Sequence, residues 1–170
     1  MTNTTIVRPT DPTFRDAIGL AAVFAAVKLL LHFALTLWIQ HLGYSYFRDE
    51  FYYIACGRHL AWGYVDHGPI VAVQARLGEV LFGDSLFAIR VLSALAGSAA
   101  VFLTGMLTWA LGGRRPAQAL AMLGILIAPI YLALDSFLSM NSFEPVFWVS
   151  PQAWAYSTSL RCSSSLSHSV

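Results

Sequence analysis

The sequence predicts an all-α polytopic membrane protein, and three observations carry that prediction. Of its 170 residues, 57% are apolar and only 11% are charged, with a mean hydropathy of +0.62, outside the range of ordinary soluble domains. The charges are segregated: only Lys28 is charged between Ala17 and Gln40, and none falls between Val91 and Gly113 or between Pro116 and Leu134. A helix rises about 1.5 Å per residue, so these stretches approach or exceed a hydrocarbon core about 30 Å thick. Between the first two lies a different kind of segment, residues 43–86, where acids and arginines are set among many aromatics.

Residues 1–16 are polar, with Pro9, Pro12, Arg8 and Arg15, and read as a short cytoplasmic tail. The first span follows over 17–42. It is too long and starts too late for a cleaved signal, so a retained anchor is expected. Lys28 lies inside it, at a cost of about 2.5–3.5 kcal/mol if central; snorkelling toward the nearer face is the expected escape, and a polar contact within the bundle is the alternative. His32, one turn on, is expected to hydrogen-bond a neighbouring helix.

The 43–86 loop has its own structure. Phe51, Ile54 and Ala55 recur at helical spacing, and Tyr44, Tyr46, Phe47, Tyr52, Tyr53, Trp62 and Tyr64 have the character of interfacial anchors. A helix over 50–62 lying along the membrane surface is predicted, with Gly63 ending it. The Asp66-His67-Gly68-Pro69 turn then starts a second helix, with Ile70, Val73, Leu77 and Val80 on a face opposite Gln74 and Glu79.

The second span covers 87–111. Its Ala94, Gly97, Ser98, Ala99, Ala100 and Gly105 are the small residues that let membrane helices approach closely. A tight Gly112-Gly113-Arg114-Arg115-Pro116 turn leads into the third span, 117–134, which Pro129 is placed to kink. Residues 17–148 are thus three spans and the start of a fourth at Pro145-Val146-Phe147-Trp148. Beyond them the character breaks: seven serines and Arg161 between Ser157 and Ser169 cannot continue a lipid-facing helix. Residues 149–170 read either as the product of a lost reading frame or as a polar disordered tail.

Two adjacent arginines in the 112–116 turn, together with the basic tail, place those segments inside. The arginines of the long loop are spread out and balanced by carboxylates. On that topology Asp49, Glu50 and Asp135 face the outside.

A net charge of +1 with scattered basic residues lacks the stripe that tracks a phosphate backbone, so nucleic acid is not an expected partner. Cys56 and Cys162 lie far apart without a CxxC pattern and suggest neither a zinc site nor a disulfide framework. Asp66, His67, His59 and Asp49 invite a metal, but no HxH or HExxH spacing exists and adjacent residues seldom ligate one tetrahedral ion. A turn is the preferred reading, and no metal site is assigned.

Asp49 and Glu50 follow a membrane span directly, flanked by Arg48 and tyrosines. A carboxylate at a low-dielectric boundary is raised in pKa, which suits a base taking a proton from a hydroxyl. In glycosyl transfer the same charge stabilises an oxocarbenium-like state. Arg90, at the outer mouth of the second span, is placed to hold a leaving phosphate. The competing reading makes the two acids a solvated helix N-terminus, favoured by the helix dipole. Asp135 either caps a following short helix or borders the same external cavity.

The runs Phe47-Arg48-Asp49-Glu50-Phe51-Tyr52-Tyr53-Ile54-Ala55, Gly63-Tyr64-Val65-Asp66-His67-Gly68-Pro69-Ile70 and Phe87-Ala88-Ile89-Arg90-Val91-Leu92-Ser93-Ala94-Leu95-Ala96-Gly97 together resemble glycosyltransferase family 39. This is the GT-C type family of the dolichyl-phosphate-mannose protein mannosyltransferases and the bacterial aminoarabinose lipid A transferases. The likeness covers roughly residues 14–148, and the order of the parts is more specific than any one of them. It implies a GT-C-like fold and inverting transfer of a sugar from a polyprenyl-phosphate donor to a protein, lipid or glycan acceptor. The reaction would run on the extracytoplasmic side of a membrane, in bacteria the inner (plasma) membrane.

On that resemblance Asp49 is the base, Glu50 supports it, and Arg90 binds the donor phosphate. Asp66, His67, Asp135 and Asn141 border the substrate cavity. The donor is a substrate, so no cofactor is implied, and a divalent metal is left open. His67-Gly68-Pro69 replaces the family's lysine-proline-proline type turn, which leaves sugar and acceptor undetermined. Family members run to several hundred residues with more helices, so the chain is expected to be an N-terminal fragment inactive alone. The alternative is a non-enzymatic small polytopic scaffold or accessory subunit, indifferent to Asp49→Asn. A transporter reading would need broken helices and midplane charges, toward which only Lys28 and Pro129 point.

Overall fold

The computed structural model describes residues 13–152. Six helices run in order: α1 Phe14–His41, α2 Arg48–Arg58, α3 Pro69–Phe82, α4 Leu86–Ala110, α5 Arg115–Ile127 and α6 Pro129–Asp135. A further helix begins at Glu144 and continues through Gln152. No strand occurs among the described residues. Helices α1 and α4 are each long and apolar enough to cross a membrane, and α5 with α6 makes a third crossing if that bent pair is one span.

Helix α1 starts three residues before the expected span because Thr13 caps it. The Thr13 hydroxyl accepts from the Asp16 amide (3.3 Å) and the Asp16 carboxylate accepts from the Thr13 amide (3.2 Å), a reciprocal capping box that satisfies two donors the helix itself cannot. Phe14–Asp16, expected in the tail, are therefore its first turn. The helix ends where Gly43 takes φ +83°, a left-handed conformation that side chains disfavour. That turn lets the Tyr44 amide reach back to the Ile39 carbonyl at 3.2 Å.

Helix α4 is the centre of the bundle, packing against α1, α3, α5 and α6. Of its most apolar stretch 67% is buried, against 17% for α1, so α1 presents most of its surface outward. What α1 does turn inward is the row Ala17, Ala21, Lys28, His32 and Thr36. The small residues of α4 explain its centrality. A Cβ on Gly105 would collide with Met122 of α5, and the Gln118 side chain uses that close approach to donate to the Gly105 carbonyl at 2.9 Å.

The third span is broken. Helices α5 and α6 meet at a 60° bend at Ala128-Pro129, where the proline ring and its missing N–H cannot continue the ladder. The sequence anticipated a kink here, and the structure makes it a full change of direction. The first turn of α1 and the 112–116 turn lie at one end of the bundle, as expected. Arg115 meets Asp16 at 3.0 Å, and the Phe14 and Trp109 rings sit 5.3 Å apart.

In the loop, α2 begins two residues earlier than expected and stops at Arg58, capped by His59, well before Gly63. Helix α3 starts at Pro69 as expected. Its Ile70, Val73, Leu77 and Val80 are exposed, whereas Val71, Ala72, Gln74, Ala75 and Gly78 are buried. The small face thus packs inward and the large apolar face outward, the arrangement of a helix whose solvent is a membrane surface. Residues 149–152, expected in the tail, are helical; residues 1–12 and 153–170 lie outside the described residues.

Candidate active site

Helix α2 opens with Phe47 as cap and Arg48-Asp49-Glu50 as its first turn. Without a hydroxyl at the cap, only the reach-back half of a capping box has side-chain chemistry: the Phe47 amide donates to Glu50 Oε2 at 2.7 Å. The same carboxylate receives Arg90 of α4 in a two-pronged pair, Nε to Oε1 and Nη2 to Oε2, each at 2.8 Å. A fourth donor arrives from far along the chain, the Leu138 amide at 3.0 Å from Oε1. Glu50 is 0% and Arg90 5% exposed. Both acids sit in the first turn of α2, as the helix-terminus reading has it, but only Asp49 is solvated there; Glu50 is buried and ties α2, α4 and the 136–142 segment together.

Asp49 projects differently. Its side chain is 48% exposed, and its nearest cation is Arg48, Nε at 3.7 Å on a side chain that is 94% exposed. Such an open pair contributes little to stability. Phe47, two residues before Asp49, lines an apolar groove of about 410 Å³ together with Ile39, Tyr44, Tyr46, Arg90 and Phe137 among others; Asp49 itself is not part of that lining.

The Asp66-His67-Gly68-Pro69 segment is a turn, with the Tyr64 amide donating to the His67 carbonyl at 3.1 Å. The His67 ring is 1% exposed, stacked on Tyr64 at 4.7 Å and edge-on to Tyr52 and Tyr53 at 5.4 and 5.2 Å. Tyr64 fixes this fold to α2 by donating to the Cys56 carbonyl at 2.8 Å. The Tyr52 hydroxyl donates to Asp66 at 2.8 Å, a bond that exists only while the phenol keeps its proton and that helps push its pKa up to about 12. Burial, then the Asp49 and Asp66 charges, push Tyr53 up as well. On the other side of α2, Arg58 and Arg76 hold Glu79 at 2.6 and 3.2 Å, and the Arg58 hydrogen bond keeps that carboxyl below its usual range.

The structure brings Asp49, Glu50, Arg90, Asp66 and His67 to one end of the molecule through α2, α4 and the 64–69 turn. It does not bring Asp135 with them. Asp135 was expected to face the outside as a cap or a cavity wall; instead it is 3% exposed and lies inside the bundle, 3.2 Å from Lys28 Nζ and 3.7 Å from His32 Nε2. Snorkelling of Lys28 is overturned with it. Lys28 is 0% exposed, because a carboxylate at matching depth on a neighbouring helix relieves the charge without a route to water. His32 is the helix-to-helix contact expected, with Nδ1 3.3 Å from the Ser136 hydroxyl. Asn141 lines a separate groove with Pro69, Phe143 and Phe147.

Two features escaped the sequence: Leu138 as a donor to Glu50, and the pairing of Lys28 with Asp135. The second had a signal, since two opposite charges at span depth lack any oppositely charged neighbour on their own helices. Among the described residues no three His, Cys, Asp or Glu side chains converge where a metal ion would sit. Comparison with protein-family models, with curated proteins and with solved structures gives no match. Among the described residues the fold is thus all-helical, with two helices, and a third span if the bent pair is one, long and apolar enough to cross a membrane.

Proposed function

We propose that the chain is the N-terminal region of an integral membrane glycosyltransferase. It would transfer a sugar from a polyprenyl-phosphate donor to an acceptor on the extracytoplasmic side, as the resemblance to glycosyltransferase family 39 implies. The observation that supports the reading is the contrast between neighbours on the first turn of α2: Glu50 is buried and fully bonded to Arg90, which lines an apolar groove with Phe47, while Asp49 is half-exposed. A base needs an open carboxylate within reach of a hydroxyl, and a polyprenyl donor needs an apolar trough ending at a cation.

On this reading Asp49 takes the acceptor proton. Glu50 acts by holding Arg90 and the start of α2 in place. Arg90 has committed Nε and Nη2 to Glu50, which leaves Nη1 for a donor phosphate. Because Glu50 neutralises the guanidinium, Arg90 offers that phosphate a directed hydrogen bond more than a net charge. On the same reading the exposed Tyr52 and Asp66 border the acceptor side, the Tyr52 ring suits a sugar face, and the buried His67 packs beneath them.

The test is transfer from a radiolabelled polyprenyl-phosphate sugar in membranes carrying a full-length enzyme with this N-terminal region. Asp49→Asn should lower turnover by about 10²–10⁴-fold, the usual contribution of a general base, with membrane insertion and donor KM unchanged. Retained transfer in that variant would remove Asp49 from its role.

A further inference from the structure

Residues 136–143 connect the broken third span to the helix that begins at Glu144, and the start of this connection, 135–138, is held to α1 and α2, the Ser136 hydroxyl lying 3.3 Å from His32 Nδ1. At one end Asp135 meets Lys28 at 3.2 Å and His32 at 3.7 Å. At the other the Leu138 amide donates to Glu50 at 3.0 Å. Between them Ser136 and Phe137 form part of the groove wall, and the Phe137 ring packs on Phe47 at 5.0 Å. The first fastening has been made room for: a Cβ on Gly97 of α4 would overlap the Asp135 carboxylate. Lys28 and Asp135 are both under 4% exposed, and Lys28 Nζ has the charge contact but no well-aligned hydrogen bond. Water cannot replace either partner at that depth, so the height of Lys28 on the rigid helix α1 fixes the height of Asp135.

We propose that Lys28 and Asp135 form an intramembrane latch that docks residues 135–138 against α1 and α4, and so sets the groove wall and the Leu138–Glu50 bond. Lys28 is then a positioning residue for a site several turns away. The inference concerns the geometry of the segment and stands whether or not the protein transfers sugars.

Leu138 provides the readout, because its side chain is fully buried against Tyr53, Val71 and Ala75. In the full chain with Cys56→Ala and Cys162→Ala, a cysteine replacing Leu138 is labelled in membranes by a water-soluble maleimide. Its rate is taken per inserted molecule and relative to the detergent-denatured protein. Lys28→Met and Asp135→Asn should each raise the rate by about tenfold or more, as expected when a local opening equilibrium loses its closing contact. Lys28→Arg and the exchanged pair Lys28→Asp with Asp135→Lys should stay near the parent rate. Slow labelling in both single variants overturns the latch, and so does an exchanged pair that labels as fast as the singles. Lys28→Met removes a charge from a span and so favours insertion; if Asp135→Asn does not accumulate, the Lys28→Met rate decides alone.

Discussion

Among the described residues two ion pairs with both partners buried tie the helices together, and they are built differently. Glu50–Arg90 is planar and two-pronged, and the carboxylate receives two backbone amides besides, so each of its oxygens has two donors. Lys28–Asp135 is a point contact at 3.2 Å, shared with His32, in which the ammonium makes no further hydrogen bond. Burying a charge costs several kcal/mol, and only good geometry with complete bonding returns it. The first pair meets that condition and acts as a rigid joint. The second does not, and its value lies in specifying where the broken span docks.

Removing one partner of the complete pair should have the largest effect. Arg90→Met leaves Glu50 buried without its cation and should cost about 3–5 kcal/mol of folding stability, read by thermal or denaturant unfolding in detergent. Lys28→Met with Asp135→Leu, which removes both charges, should cost far less than Arg90→Met. Equal losses would erase the distinction drawn between the pairs.

Gly97→Ala probes the second pair without touching the first. The added methyl meets the Asp135 carboxylate and the α6 backbone cannot simply retreat, so a loss of about 1–3 kcal/mol is expected from overpacking. A neutral result would mean that Asp135 moves freely, against a docked segment.

The smallest effect is at the exposed Tyr52–Asp66 bond, where neither partner is buried. The Tyr52 pKa is raised from 10.0 to about 12, so the folded state prefers the protonated phenol. The stabilisation is present below the unfolded value of 10.0 and is lost as pH rises from there through about 12. Tyrosinate absorbance should show late-titrating phenols, Tyr53 being raised too, of which Asp66→Asn brings the Tyr52 component earlier and Tyr52→Phe removes it.

Much of this was legible in the chain. The spans came within a few residues of α1 and α4 because hydropathy and charge segregation are local properties, and Pro129 and Pro69 act through their own rings. Asp49 and Glu50 were singled out together, since adjacent residues share a sequence context; what separates them is which way each side chain turns once α2 packs on the bundle. The apolar face of α3 was legible as a face, but that it would look outward depended on the small residues opposite finding α2 and α4.

By itself the sequence determined an all-helical, membrane-length architecture with one acidic, aromatic loop, because solvent preference and helix punctuation are set within a few turns of chain. The tertiary structure decided the partners. Glu50 and Arg90 are 40 positions apart and Glu50 and Leu138 are 88 apart, and Asp135 is far along the chain from Lys28. Which distant charge neutralises which depends on the depth and rotation of packed helices, quantities that no local pattern encodes. That is why Lys28 read as a snorkelling lysine and is instead the fixed end of a buried pair.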